Sequence, residues 1–353
     1  MKYAIDKDIE DSLLNLVLGR NNYHQLKDIN IFFSGGTGLL GRWMLKSLNF
    51  VAKNKKINIK VTLLTRNKEN IKKLKKEINS IKVDFIIGDI SNIKINHKNY
   101  DIIFHFAASS SKEDNLNKIK VSNTIINGTA NIIKNAQTCN IKNIVFLSSG
   151  AVYGKNSQKD LGWKETDNFS PDVNNENAVY GLSKKCSESL LVDWAKKNNN
   201  NLLIFRSFSF GVITENGKSH FAFDNFIKSR INRKEIIMNS YGTSKRNFIH
   251  PIDLCNWIFL SLPLKRITIL NSGSKKNVTI FDLAKKIATL KITGLPKVSF
   301  NRGKDRKKEN YIPNLNAIHA KGYAEKISLD KQIELSIYNA LENKKLYEKN
   351  CRI

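Results

Sequence analysis

Six apolar runs punctuate the first 205 residues, at 29–33, 59–64, 83–87, 102–106, 144–147 and 202–205, each rich in Ile, Val, Leu and Phe. Runs that are apolar nearly throughout predict strands buried on both faces. The stretches between them, at about 39–52, 68–78, 116–138 and 180–197, carry apolar residues at helical spacing. Strand and helix alternating in this way predict the α/β class, a doubly wound parallel sheet covered on both faces. Ahead of the first strand, Ile9, Leu13, Leu14, Val17 and Leu18 mark a docking helix over 6–18. Past 205 the pattern turns irregular, with short strands at 235–238 and 268–270, helices near 253–261 and 280–290, and a last helix near 328–341.

The first chemical motif is Ser34-Gly35-Gly36-Thr37-Gly38-Leu39-Leu40-Gly41, directly after the first strand and opening the next helix. Gly35, Gly38 and Gly41 allow a sharp turn, close approach to a pyrophosphate and tight helix–strand packing, while the helix N-terminus offers free N–H groups to the anion. The strand–turn–helix context points to a dinucleotide rather than a plain turn. The sheet domain is therefore Rossmann-type. At the end of the second strand, Thr65-Arg66-Asn67 stands where a carboxylate would bind an adenosine ribose. A cation at Arg66 suits a ribose 2′-phosphate, so of NAD and NADP the second is favoured. Asp89, followed by Ile90, closes the third strand, either to accept from an adenine amine or to serve as a turn residue.

The second motif is Tyr180-Gly181-Leu182-Ser183-Lys184, whose i, i+4 spacing stacks a phenol and an ammonium on one helix face. A free tyrosine titrates near ~10, so proton exchange near neutrality asks for a neighbouring positive charge, which Lys184 supplies. Ser148-Ser149-Gly150-Ala151-Val152-Tyr153-Gly154 falls at the carboxyl end of the fifth strand, where ligands of open α/β sheets bind. A hydroxyl at Ser149 can hold the carbonyl oxygen that Tyr180 protonates.

Together with Asp89 and His105-Phe106-Ala107-Ala108, these motifs resemble the extended short-chain dehydrogenase/reductase superfamily, and within it the NAD(P)-dependent nucleotide-sugar epimerase/dehydratase family. The likeness runs from about 28 to 340 and includes Arg206-Ser207-Phe208-Ser209, residues 242–254 and Asn271-Ser272-Gly273. It implies a catalytic set of Ser149, Tyr180 and Lys184. It places Gly35, Thr37, Gly38, Leu39, Leu40, Gly41, Arg66, Asp89, Ile90, Ala107 and Ala108 against the cofactor. Ser149, Ser209 and Arg246 would contact substrate, with Arg246 on a nucleotide diphosphate. The expected division is an N-terminal helical extension (1–27), the dinucleotide-binding domain (28–205) and a smaller, mostly substrate-binding cap (206–353).

The sequence departs from that family at several points. Its dehydratases carry Asp-Glu directly after the Ser/Thr position, because removing water needs an acid and a base; here stand Gly150 and Ala151, which transfer no protons. Ser209 replaces an Asn that contacts phosphates, the next glycine comes early at Gly211, and Ile125 stands at the tetrad Asn, with Asn123, Thr124 or Asn127 as possible substitutes. His105 and His250 read as a packed strand-end residue and a loop contact. The four Trp residues read as core or interface.

The expected activity is hydride transfer at sugar C4, as an epimerase or a 4-keto-sugar reductase. A dehydratase, or a dinucleotide-binding protein without chemistry, is the alternative. The net charge of +28, from 59 Lys+Arg against 31 Asp+Glu, is spread along the chain, densest at 297–308, and reads as a solvated surface rather than a nucleic-acid stripe. The four Cys are too scattered for a metal-ligand pair or a disulfide framework, so no metal is expected. No apolar run approaches the ~20 residues of a membrane span, and residues 1–7 do not read as an export signal. A cytoplasmic homodimer, without membrane or nucleic-acid partners, is expected.

Overall fold

A computed structural model describes residues 7–95, 99–108, 117–154, 161–175, 178–213, 221–304 and 308–350. Asp6 and Leu116, where two predicted helices begin, Cys351 and part of the basic run 297–308 lie outside the described residues. The predicted apolar runs form β1 (Ile29–Ser34), β2 (Ile59–Thr65), β3 (Lys82–Ile87), β4 (Ile102–His105), β5 (Asn143–Ser149) and β6 (Asn201–Ser207). With a seventh strand, β10 (Ile267–Ser272), they all pair in parallel in the order β10-β6-β5-β4-β1-β2-β3. The strand order reverses beside β1, so the chain leaves β1 and β4 in opposite directions and opens a crevice at their carboxyl ends.

The seventh strand, β10 (Ile267–Ser272), corrects the reading of 268–270 as a cap strand. It follows the apolar helix Pro251–Leu260, which crosses over and returns the chain to the free edge of β6. The side chains of β1 divide the core. Ile31 and Phe33 face the layer holding helices Lys7–Leu18, Leu39–Lys55 and Pro251–Leu260; Phe32 faces the layer holding Ile132, Leu191 and Trp194. The leading helix docks on Pro251–Leu260, and the turn after it is pinned by Tyr23 Oη donating to Asn256 Oδ1 at 2.8 Å.

The predicted helix 116–138 is interrupted. It runs as Lys118–Ser122, a π turn at Asn123–Asn127, and Gly128–Thr138. The β-branched Thr124-Ile125-Ile126 weakens α-helical preference there, and at Gly128 a Cβ would stand 2.8 Å from Ile90 Cγ2, so the backbone presses against the loop after β3.

The cap is built on a small sheet, β11-β9-β7, with β7 (Ser209–Phe210) parallel and β11 (Asn277–Thr279) antiparallel to β9 (Lys245–Ile249). A pair, β8 (Ile236–Ile237) and β12 (Phe300–Asn301), flanks it. Helix Ala222–Ile231, which the irregular sequence pattern hid, packs with Ile280–Thr289 and Leu329–Asn350 around Phe223, Phe226, Leu283 and Ile333. Among the described residues no helix is long and apolar enough to cross a membrane.

Candidate active site

The crevice beside β1 is shaped by its glycines. Gly35 has φ +86°, and a Cβ on it would lie 2.5 Å from Ala107 N; one on Gly41 would lie 2.2 Å from Gly35 O. Neither position has room for a side chain, so the loop lies flat on the end of β4 and its helix presses onto the loop. Gly38, the exposed N-cap of Leu39–Lys55, differs: a Cβ would meet only Gly35 O, at 3.4 Å. Its open side, over unsatisfied helix N–H groups, is where an anionic group can approach. Thr37 and Leu39 are half-buried around it and Leu40 is buried beneath.

Arg66 is exposed at the end of β2, and Asp89 lies across from it after β3. Two hydrogen bonds from Ser91, N–H at 2.9 Å and Oγ at 2.7 Å, hold the Asp89 carboxyl below the usual range, with the Arg66 charge adding to them. Ile90 is buried below; Ala107 and Ala108 line the far wall after β4, both half-buried. The glycine loop, Arg66, Asp89, Ala107 and Ala108 therefore gather at the carboxyl ends of β1, β2, β3 and β4.

His105, fully buried, is bonded to Ser34 Oγ at 2.8 Å and Thr129 Oγ1 at 3.1 Å. Burial, and then the charge of Lys184, push it down to about 3, so it stands neutral beneath the crevice. His250 accepts from Ile252 N–H as the N-cap of Pro251–Leu260 and is likewise pushed down to about 3 by burial.

Ser149 stands at the carboxyl end of β5, and the helix that carries Tyr180 and Lys184 packs on the turn it opens. Ser149 caps the 3-10 turn Gly150–Tyr153, its Oγ accepting from Ala151 N–H at 3.2 Å. Helix Ala178–Lys197 reaches that turn because Gly181 has no side chain; a Cβ would stand 2.4 Å from Ala151 O. Burial raises the Tyr180 phenol above its ordinary pKa, and a hydrogen bond with Ser149 works against that rise. Lys184 is buried, donates to Leu147 O at 2.7 Å and sits 4.6 Å over the Phe146 ring. Desolvation pushes it down to about 7, with the Glu188 charge opposing.

A residue the sequence reading missed completes the cluster. Tyr311 Oη lies 3.3 Å from Ser149 Oγ. It arrives from the cap, held by backbone pairing of Tyr311 with Arg246 and by Tyr311 N–H donating to Lys245 O at 3.0 Å. Only this long-range pairing brings it in, and no local motif marks it. Arg246 is half-buried and donates through Nη1 to Lys245 O (2.9 Å) and Glu309 O (2.6 Å). Ser209 begins β7, opposite Phe248 of β9.

Gly150 faces an aromatic wall. A Cβ there would stand 2.7 Å from the Phe208 ring, and that ring packs 4.7 Å, centre to centre, from Tyr311. The space that a side chain at 150 would need is filled. Glu165 is also committed, its Oε1 accepting from Asn271 N–H at 2.7 Å. At the tetrad position, buried Ile125 offers only its carbonyl, which accepts from Thr129 Oγ1 (2.7 Å) and Ser187 Oγ (3.1 Å). Asn123 and Asn127 are exposed and bonded to each other, turned away from the cluster.

The glycine-lined crevice, Ser149, Tyr180 and Lys184 all fall within the stretch of chain that a family comparison covers. The NAD dependent epimerase/dehydratase family model matches residues 31–268, more than half of the chain. The chain belongs to this family. Curated relatives include a dTDP-D-glucose 4,6-dehydratase of Dictyostelium discoideum, 23% identical over 77% of this chain and 64% of that protein. A UDP-glucose 4-epimerase of Vibrio cholerae is 29% identical over half of each chain. Among solved structures, a UDP-N-acetylglucosamine 4-epimerase from Methanobrevibacter ruminantium superposes with TM-score 0.72 at 19% identity, covering 90% of this chain and 99% of that one. The UDP-glucose 4-epimerase of Thermotoga maritima gives 0.71 at 18%, over 90% and 100%. These structures share the fold of this epimerase/dehydratase family member.

Proposed function

We propose that the protein is an NAD(P)-dependent nucleotide-sugar epimerase or 4-keto-sugar reductase working at sugar C4. The observation that carries this reading is the convergence of Ser149, at the carboxyl end of β5, with the helix Ala178–Lys197 that bears Tyr180 and Lys184: Gly181 brings that helix onto the Ser149-capped turn, and the Ser149 hydroxyl works against the rise that burial gives the Tyr180 phenol. The crevice fits the dinucleotide: Gly38 leaves an open approach to the helix N-terminus, Arg66 and Asp89 flank the adenosine side, and Ile90, Ala107 and Ala108 form its walls. Bound there, the nicotinamide would accept or deliver a hydride. Tyr180 exchanges the proton of the C4 oxygen, Ser149 donates a hydrogen bond to that oxygen, and Arg246 and Ser209 meet the nucleotide side of the substrate.

Dehydration is disfavoured by the same geometry. Position 150 has no space for an acid, Ala151 has no proton to give, and Glu165 is held by Asn271. The UDP-sugars named for the related structures make UDP-glucose the first substrate to try.

Wild type and Tyr180→Phe are incubated with UDP-glucose and with a UDP-4-keto-hexose plus reduced dinucleotide, and the products are weighed by mass spectrometry. The expected outcome is a stereoisomer of unchanged mass, or a gain of ~2 Da by reduction, with turnover falling ~10²–10⁴-fold in the variant. Loss of ~18 Da, the mass of water, or undiminished turnover in Tyr180→Phe, overturns the reading.

A further inference from the structure

Ser149 Oγ has one proton to give and two lone pairs to accept with. One lone pair is taken by Ala151 N–H at 3.2 Å. Two phenols face what remains: Tyr311, whose Oη is 3.3 Å away, and Tyr180, whose rise on burial the Ser149 hydroxyl opposes. If Tyr311 donates, both lone pairs are filled and the proton of Ser149 has a single direction left, towards Tyr180 and the oxygen it serves. If Tyr311 were absent, that proton could turn to water.

The setting of Tyr311 supports the donor role. Burial raises its pKa, and the neighbouring Tyr180 phenol adds to the rise, so it keeps its proton across the working range. Its ring is fixed against Phe208, and its backbone against Arg246 and Lys245.

We propose that Tyr311 is a positioning residue of the active site: by donating to Ser149 Oγ it fixes the direction of the Ser149 proton. The inference rests on the assignment of Ser149 and Tyr180 made above. It also gives the cap a part in the chemistry, since Tyr311 is the one phenol of the cluster contributed from beyond residue 206.

Tyr311→Phe keeps the ring on Phe208 and removes only the donor. It is tested in the wild-type and Ser149→Ala backgrounds, with UDP-glucose or whichever keto-sugar is turned over. Tyr311→Phe is expected to lower kcat about tenfold at nearly constant KM, the worth of one hydrogen bond used in the transition state, and to change nothing further in Ser149→Ala. Equal losses in both backgrounds, or a rise in KM alone, overturn the role of Tyr311. Undiminished turnover of Ser149→Ala and of Tyr180→Phe instead overturns the catalytic assignment itself.

A readout independent of turnover is the Cζ resonance of [ζ-13C]tyrosine, assigned by the two Phe variants. Ser149→Ala is expected to shift the Tyr311 and Tyr180 signals together. A Tyr311 signal unmoved by Ser149→Ala overturns the hydrogen bond on which the proposal stands.

Discussion

At the scale of single residues, the site is set as much by side chains that are missing as by those present. Gly35, Gly41 and Gly181 mark places where backbones meet within about van der Waals contact, so each is legible as a packing requirement once the structure is seen. Arg66 is a different kind of residue, exposed and free of such packing constraint. A guanidinium there attracts a ribose 2′-phosphate, whereas a carboxylate would repel it and accept from the ribose hydroxyls instead. NADP(H) is therefore expected to bind more tightly than NAD(H), and Arg66→Asp to reverse the order, because one substitution removes the attraction and adds a repulsion. Fluorescence titration of the two reduced dinucleotides checks this. Equal affinities in wild type that the variant leaves unchanged contradict it.

At the scale of elements, β5 is clamped to its neighbours by a buried charge pair. Glu188, one turn beyond Lys184 on Ala178–Lys197, accepts from Arg206 of β6 at 2.7 Å and from Ser148 of β5 at 2.5 Å. Arg206 reaches on to Tyr153 Oη at 2.9 Å and Glu165 O at 3.0 Å, and Tyr153 donates to Asn271 Oδ1 of β10 at 2.8 Å. The pair joins β5, β6, β10 and the helix Ala178–Lys197. Removing one partner leaves the other as an uncompensated buried charge, so Glu188→Ala is expected to cost about 3–5 kcal/mol of stability. Glu188→Gln, which keeps hydrogen-bond capacity, is expected to cost less, and urea unfolding measures both. The sequence shows why this clamp was not foreseen. Strands β1 to β6 declare themselves by continuous apolar runs, and the glycine loop by its place between strand and helix. Glu188–Arg206 and Ser149–Tyr311 pair residues 18 and 162 positions apart with no periodic signature, so only the packed sheet and cap reveal them.

At the scale of the whole molecule, the +28 charge lies mostly on exposed lysines, while the pH response of stability is governed by a few buried groups. His105 and His250 titrate near 6.5 when unfolded but are pushed down to about 3 in the fold, by burial in both cases. Their stabilisation is complete above pH 6.5 and is lost as pH falls towards 3, because the unfolded chain takes up the protons first. Asp253, buried and accepting from Lys326 N–H at 2.8 Å, is pushed up to about 7 from 3.8, and acts in the opposite sense. Its contribution is complete below 3.8 and is lost as pH rises through about 7. Between about pH 4 and 6.5 the unfolded state thus holds two protons on the histidines, and the native state holds one on Asp253. The balance of one proton predicts that stability falls on acidification by about 1.4 kcal/mol per pH unit from these three groups. His250→Asn keeps an acceptor at the helix N-cap while removing the titrating ring. Unfolding free energies measured by urea at several pH values between 4.5 and 6 are expected to show the slope of that variant reduced by one proton, about 1.4 kcal/mol per pH unit, relative to wild type. An unchanged slope shows that His250 is not held neutral at the start of Pro251–Leu260.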